Sequence, residues 1–168
     1  MTLRLILVRH AKSDWGTPGL DDHDRPLNAR GRRAARAIGD WLAERGHVPE
    51  AALLSTARRV EETWNGLSPA LGGEVPTTRD RDLYLSSPET MLDALPTQSA
   101  RRVMLIAHNP GLASLAQWLT EEPPQRDEFD RFPTCATLVL DFDAADWGTI
   151  RPLTGQVVDF VVPRDLTA

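Results

Sequence analysis

Four side chains that could bind or attack an anion stand next to predicted strands and helices of this chain. Arg9 and His10 directly follow one apolar run, Arg58 lies one helical turn beyond a second, and His108 follows a third. An arginine is a permanent, planar fork of donors, and an imidazole titrates near neutral pH. Each residue alone has a plainer interpretation, as a surface pair, an exposed helix charge or a strand-end histidine. Together they could form a cationic pocket suited to a phosphoryl group.

The predicted secondary structure would bring these side chains together. Apolar runs bounded by turn residues predict strands over 3–8, 51–55, 75–78, 102–107, 136–142, 147–153 and 157–162. Helical spacing of apolar residues predicts helices after Asn28, Thr56, Ser87 and Asn109. Alternating strands and helices indicate an α/β fold, a three-layer sandwich whose mostly parallel sheet is flanked by helices. Parallel strands end at one edge, where ligands bind in such folds.

Composition limits the class of protein. A chain of 168 residues is long enough for one domain with a substantial core, and we expect a single domain over 1–168. The net charge of −5 argues against general nucleic-acid binding. Cys135 is the only cysteine, so no internal disulfide forms, and no apolar run approaches the ~18 residues of a membrane span. We therefore expect a cytoplasmic protein that associates with neither membrane nor nucleic acid.

Four blocks of sequence carry a resemblance to a known family. They are Leu7–Trp15, Arg25–Gly31, Leu54–Thr63 and Ile106–Leu112. In this order, and across most of the chain, they resemble the histidine phosphatase superfamily, and most closely its short SixA-like phosphohistidine phosphatase branch. The resemblance implies a phosphoglycerate mutase-like fold.

The resemblance also implies a role for each matching residue. His10 would be the nucleophile, whose ring nitrogen attacks phosphorus and becomes transiently phosphorylated. Arg9, Arg58 and His108 would hold the phosphoryl oxygens, with His108 an imidazolium beside the bound anion, and Ser13 would line the pocket. Fixed cationic donors supply most of the catalysis in phosphoryl transfer. No metal or cofactor is implied, and none of the four histidines has the spacing of a metal motif.

The sequence departs from the family at one place. Many members carry an acid within a Leu-x-Glu pattern after the third strand, which protonates the leaving oxygen, whereas this chain reads Leu83-Tyr84-Leu85. The labile P–N bond of phosphohistidine needs less help, so the departure favours a phosphohistidine carried by a protein as substrate. Two alternatives remain: a small-molecule phosphomonoesterase with another acid, and a non-catalytic phosphate-binding regulatory module. The expected partner is accordingly a phosphorylated protein or a small phosphorylated compound.

Overall fold

A computed structural model describes residues 1–166 and contains one six-stranded sheet with strand order β3-β2-β4-β1-β5-β6. The strands are β1 Thr2–Arg9, β2 Ala51–Ser55, β3 Thr77–Asp80, β4 Arg102–Ala107, β5 Thr137–Asp143 and β6 Gln156–Val161. The helices are α1 Ala29–Glu44, α2 Arg58–Leu67, α3 Pro88–Ala94, α4 Gly111–Leu119 and α5 Asp127–Arg131. The strands β1 to β4 pair in parallel, whereas β5 and β6 are antiparallel additions at one side. This confirms the predicted α/β sandwich with a mostly parallel sheet.

The central strand β1 is buried on both faces, because alternate side chains of a strand point to opposite sides. Leu5 and Leu7 belong to the core on one face of the sheet, together with apolar residues of α3, α4 and α5. Ile6 and Val8 belong to the core on the other face, beneath α1 and α2. The two layers of helices hold the parallel strand ends in fixed relative positions.

The start of α1 follows the predicted capping pattern. Asn28 has an extended backbone, and its side-chain oxygen accepts a hydrogen bond from the Gly31 amide at 2.8 Å. Such a cap satisfies a donor that the first turn of a helix cannot pair internally. Beyond the helix end, Gly46 adopts a left-handed conformation with φ of 73°, which is typical of a glycine that ends a helix.

Two strand predictions need correction. The third strand begins at Thr77, two residues later than expected. The segment 147–153 is no strand: Trp147–Thr149 form a single turn of 3₁₀ helix. There the buried Trp147 indole donates a hydrogen bond to the carbonyl oxygen of Ala100 at 2.7 Å. The apolar signal of this segment thus reflects one anchoring tryptophan. Within the described residues, no helix is long and apolar enough to cross a bilayer.

Candidate active site

Two neighbouring strands deliver the two histidines to one place. In the parallel pair β1 and β4, Arg9 lies opposite Ala107, so His10 and His108 follow side by side. The His10 amide donates to the Ala107 carbonyl at 3.2 Å, and the two imidazole centroids are 5.3 Å apart. The parallel register of β1 and β4 therefore brings the ends of these two strands together, as predicted.

The arginine from α2 that reaches this place is Arg59 and not Arg58, which corrects the expectation for Arg58. Arg58 is exposed, is absent from the lining of the pocket that contains the histidines, and forms an ion pair with Glu62 at 2.9 Å. Arg59 is 2% exposed, and its Nη2 lies 3.3 Å from Nδ1 of His108. The reason is helical phase, because adjacent residues of a helix are rotated by about 100°.

A pocket of about 370 Å³ opens around these groups. Its lining is Arg9, His10, Lys12, Ser13, Trp15, Asp22, Arg25, Arg59, Leu85, His108, Asn109 and Thr134. Four of these side chains are cationic and only Asp22 is acidic. The Nε groups of Arg9 and Arg59 are buried and have no hydrogen-bond partner among the described residues. A surplus of positive charge with unsatisfied donors favours an anionic ligand.

His10 is held as a neutral ring with one nitrogen open. Its Nδ1–H donates a hydrogen bond to the carbonyl oxygen of Ala11 at 2.8 Å. The lone pair of the ring therefore lies on Nε2. Burial is the main cause that lowers the pKa of His10 to about 3, and the nearby charges of Arg59, Arg9 and Arg25 act in the same direction. A neutral imidazole in this tautomer is a competent nucleophile at neutral pH.

His108 is also neutral. Burial, the neighbouring His10 ring and Arg59 lower the pKa of His108 to about 3. Since an arginine only donates, Nδ1 of His108 accepts from Arg59, and its Nε2–H donates to the Ser55 hydroxyl at 2.7 Å. Ser55, the last residue of β2, thus orients the ring of His108.

Asp22 links the arginines to the loop that follows His10. Its carboxylate accepts from Arg59 at 3.0 Å, from Arg25 at 3.0 Å and from the Tyr84 hydroxyl. Partial burial tends to raise the pKa of Asp22, but these three hydrogen bonds outweigh it and hold the pKa well below the usual range. Asp22 therefore stays ionised and orients Arg59, and it is no source of protons.

Ser13 lines the pocket as predicted, and Arg25 holds its side chain in place. Its hydroxyl oxygen accepts a hydrogen bond from Arg25 Nη1 at 2.6 Å. Arg25 is 8% exposed and also donates to the Asp14 carbonyl at 3.3 Å. The Asn109 side chain accepts a hydrogen bond from the Ala113 amide in the first turn of α4, and Asn109 also lines the pocket.

Sequence reasoning missed Arg59, Asp22 and Arg25. For Arg59 a signal existed: Val60, Trp64 and Leu67 define the buried face of α2, and Arg58 lies about 160° from Val60 on the helical wheel. For Asp22 and Arg25 the sequence offers only their own pairing three residues apart, and the contacts of Asp22 with Arg59 and Tyr84 form only in the folded chain.

Leu85 adds an apolar side chain to a mostly polar pocket lining. Leu85 occupies the place where the family pattern puts an acid, and it lines the pocket with its side chain 55% exposed. Among the lining residues only Asp22 has a carboxyl group, and that group is ionised. The pocket therefore combines neutral imidazoles and cationic donors without a protonated carboxyl group.

The comparisons with known proteins agree with this geometry. The model of the histidine phosphatase superfamily (branch 1) matches residues 5–84. An uncharacterised protein of Mycobacterium tuberculosis is 31% identical over 164 residues, covering 94% of this chain and all of that protein. A relative from Mycobacterium leprae, also uncharacterised, is 32% identical over 166 residues with the same coverage.

Solved structures extend the likeness over nearly the whole chain. A protein of Agrobacterium tumefaciens, provisionally assigned as the phosphohistidine phosphatase SixA, superposes with a TM-score of 0.77 at 29% identity. The superposition covers 96% of this chain and 99% of the Agrobacterium protein. A counterpart from Nakamurella multipartitia, assigned in the same way, has a TM-score of 0.76 at 25% identity, with 97% of each chain covered. The chain belongs to the histidine phosphatase superfamily. Its membership and these SixA-like neighbours support phosphatase activity.

Proposed function

We propose that this protein removes the phosphoryl group from phosphohistidine in a protein, through a phosphorylated His10 intermediate. The observation that carries the proposal is the state of His10: a neutral ring, with Nε2 open, in a pocket that holds four cations. A non-catalytic binder of phosphate would need the arginines but not a nucleophile in this tautomer.

In the first step, Nε2 of His10 attacks phosphorus while the P–N bond of the substrate breaks. The electron pair of that bond returns to the substrate ring, which carries a proton on its other nitrogen and so leaves as neutral imidazole. Water then attacks phosphorus and the bond to Nε2 breaks, so that the electron pair returns to the His10 ring and both protons of the water leave with inorganic phosphate. Arg9 and Arg59 would hold the equatorial oxygens, where charge lies in the transition state.

His108 would contribute as a proton-responsive donor. When a phosphoryl oxygen takes the place of Arg59 at Nδ1, its negative charge raises the pKa of the ring and favours the imidazolium, which then donates from Nδ1 to that oxygen. The expectation of a charged His108 therefore applies to the complex with an anion, whereas burial keeps the ring neutral otherwise. Ser13 and Lys12 complete the lining on the side of the loop that follows His10.

The surroundings of the pocket favour a substrate carried by a protein. A second pocket shares Lys12 with the candidate active site and is also lined by Arg30, Arg131 and Arg164, with Glu128 as its one carboxylate. In a chain whose net charge is −5, this local excess of positive charge would attract an acidic protein surface next to the phosphohistidine.

The decisive experiment traps the intermediate. A reaction with a peptide labelled on its phosphohistidine is stopped within the first turnover, and we expect label on His10, labile to acid and stable to alkali. His10→Ala should retain the fold and lose both label and turnover, and a chelator should leave the wild-type rate unchanged. Faster turnover of a sugar phosphate than of the phosphohistidine peptide would favour the small-molecule phosphomonoesterase. Unimpaired turnover in His10→Ala would refute the mechanism.

A further inference from the structure

Trp15 and Leu85 stand out because they are large, apolar and exposed, yet they line the candidate active site. Trp15 is 77% exposed and Leu85 is 55% exposed. The other ten lining residues carry polar or charged side chains. Apolar and aromatic side chains that line a pocket are typical contacts for a bound ligand.

Trp15 is held in place by a cation. The guanidinium carbon of Arg25 lies 3.5 Å from the centroid of the Trp15 ring, and Arg25 is fixed in turn by Ser13 and Asp22. One face of the indole is therefore covered and anchored, while most of the ring surface stays accessible. A tryptophan held this way is a preformed stacking surface, since little conformational entropy remains to be lost on binding.

Leu85 is held out into the pocket by its backbone. Its φ of 51° lies in the left-handed region, which a leucine rarely adopts. It follows Tyr84, whose hydroxyl donates to Asp22 and whose ring contacts His108 edge-on at 5.3 Å. The same Asp22 network thus positions both apolar side chains at the pocket.

We infer that Trp15 and Leu85 form a binding surface for a flat heteroaromatic leaving group, namely the imidazole ring of the substrate phosphohistidine. This deepens the proposed function and rests on it. A pocket of about 370 Å³ accommodates a phosphoryl group together with one five-membered ring. The ring carries a positive charge while it is protonated for P–N cleavage, and the face of an indole attracts such a cation.

The test compares two substrates with the same P–N bond. Phosphoimidazole carries the ring, and phosphoramidate has no ring. We expect Trp15→Ala to lower the ratio of kcat/KM for phosphoimidazole to that for phosphoramidate about tenfold, the size of effect found for stacked rings. Trp15→Phe should keep most of the ratio, and Trp15→Leu, which keeps apolar bulk without a π face, should not.

The matched control is Trp118→Ala, because Trp118 is exposed by 39% and does not line this pocket. It should leave the ratio unchanged. If wild type cleaves both compounds and Trp15→Ala slows both equally, Trp15 only holds the loop and the inference is wrong. If wild type cleaves neither but hydrolyses a sugar phosphate, the proposed function itself fails, and this inference with it.

Discussion

At the scale of residues, two adjacent arginines make very different contacts. Arg59 is buried against Asp22 and His108, whereas Arg58 is exposed and paired with Glu62 within the same helix. A fixed donor in a buried site strongly stabilises the charge that develops in a transition state. An exposed ion pair, by contrast, contributes little free energy. We expect Arg59→Ala to lower kcat/KM for a phosphohistidine peptide by about 10²-fold or more.

Arg58→Ala is the matched control for that measurement. It removes the same side chain one position earlier, and we expect a change in kcat/KM of less than about twofold. Thermal unfolding of both variants separates a folding defect from a loss of catalysis. Equal losses in the two variants would mean that the pocket does not depend on Arg59.

Leu85 offers a second prediction at this scale. Leu85→Glu would place a carboxyl group in the pocket lining, at the position where many relatives carry one. We expect it to raise kcat/KM for a sugar phosphate about tenfold or more, since general acid catalysis contributes at least that much. Leu85→Gln, which has the same shape without the acid, should give no gain. A gain with glutamine would show that polarity, and not proton donation, had limited the rate.

At the scale of elements, α1 packs directly against the loop that follows His10. A Cβ added at Gly31 would lie 2.1 Å from the Lys12 carbonyl oxygen, which is backbone and has no freedom to rotate away. We expect Gly31→Ala to destabilise the protein by about 1–3 kcal/mol, as overpacking does, and to lower kcat/KM by shifting Lys12 and Ser13. Urea unfolding and kinetics measure the two effects.

Gly73→Ala is the control for that substitution, because nothing lies within 4 Å of the Cβ it would add. It should leave the stability within about 0.5 kcal/mol. Alanine is the better helix former by about 0.5–1 kcal/mol. A more stable Gly31→Ala variant would therefore show that propensity outweighs the close approach.

The elements were predictable from the sequence where buried apolar residues dominate. The runs that became β1, β2 and β4 are mostly apolar, and the cap at Asn28 is a local signal. The identity of the arginine in the pocket needed the phase of α2, which the apolar residues from Val60 onward contain. The role of Asp22 was not predictable. Of its three partners, Arg25 is close in sequence, but Arg59 and Tyr84 are distant and reach Asp22 only through tertiary packing.

At the scale of the whole molecule, the candidate active site lowers the stability of the folded state, because it gathers like charges around buried polar groups. The chain has a net charge of −5, yet the pocket concentrates four cations around two buried imidazoles. Both rings are almost inaccessible to water, with His10 7% and His108 1% exposed. Neither ring has a carboxylate as a hydrogen-bond partner among the described residues, so protonating them in the folded state is unfavourable.

The protein should consequently lose stability on mild acidification. The ordinary pKa of histidine is 6.5, and the pKa values of His10 and His108 are lowered to about 3 in the folded state. As pH falls from 6.5 towards 3, the unfolded chain binds protons that the folded chain does not bind, and each proton favours unfolding. The stabilising effect of the two neutral rings is complete above pH 6.5 and shrinks below it.

We therefore expect the free energy of unfolding, measured in urea, to fall between pH 7 and about pH 4.5, above the range in which most carboxylates titrate. The double variant His10→Gln/His108→Gln keeps polar side chains of similar size and removes both titrating groups. Its stability should change less over the same interval, whatever its value at pH 7. If wild type and the double variant fall in parallel, the acid sensitivity comes from groups outside the pocket, and the two imidazoles are protonated as easily folded as unfolded.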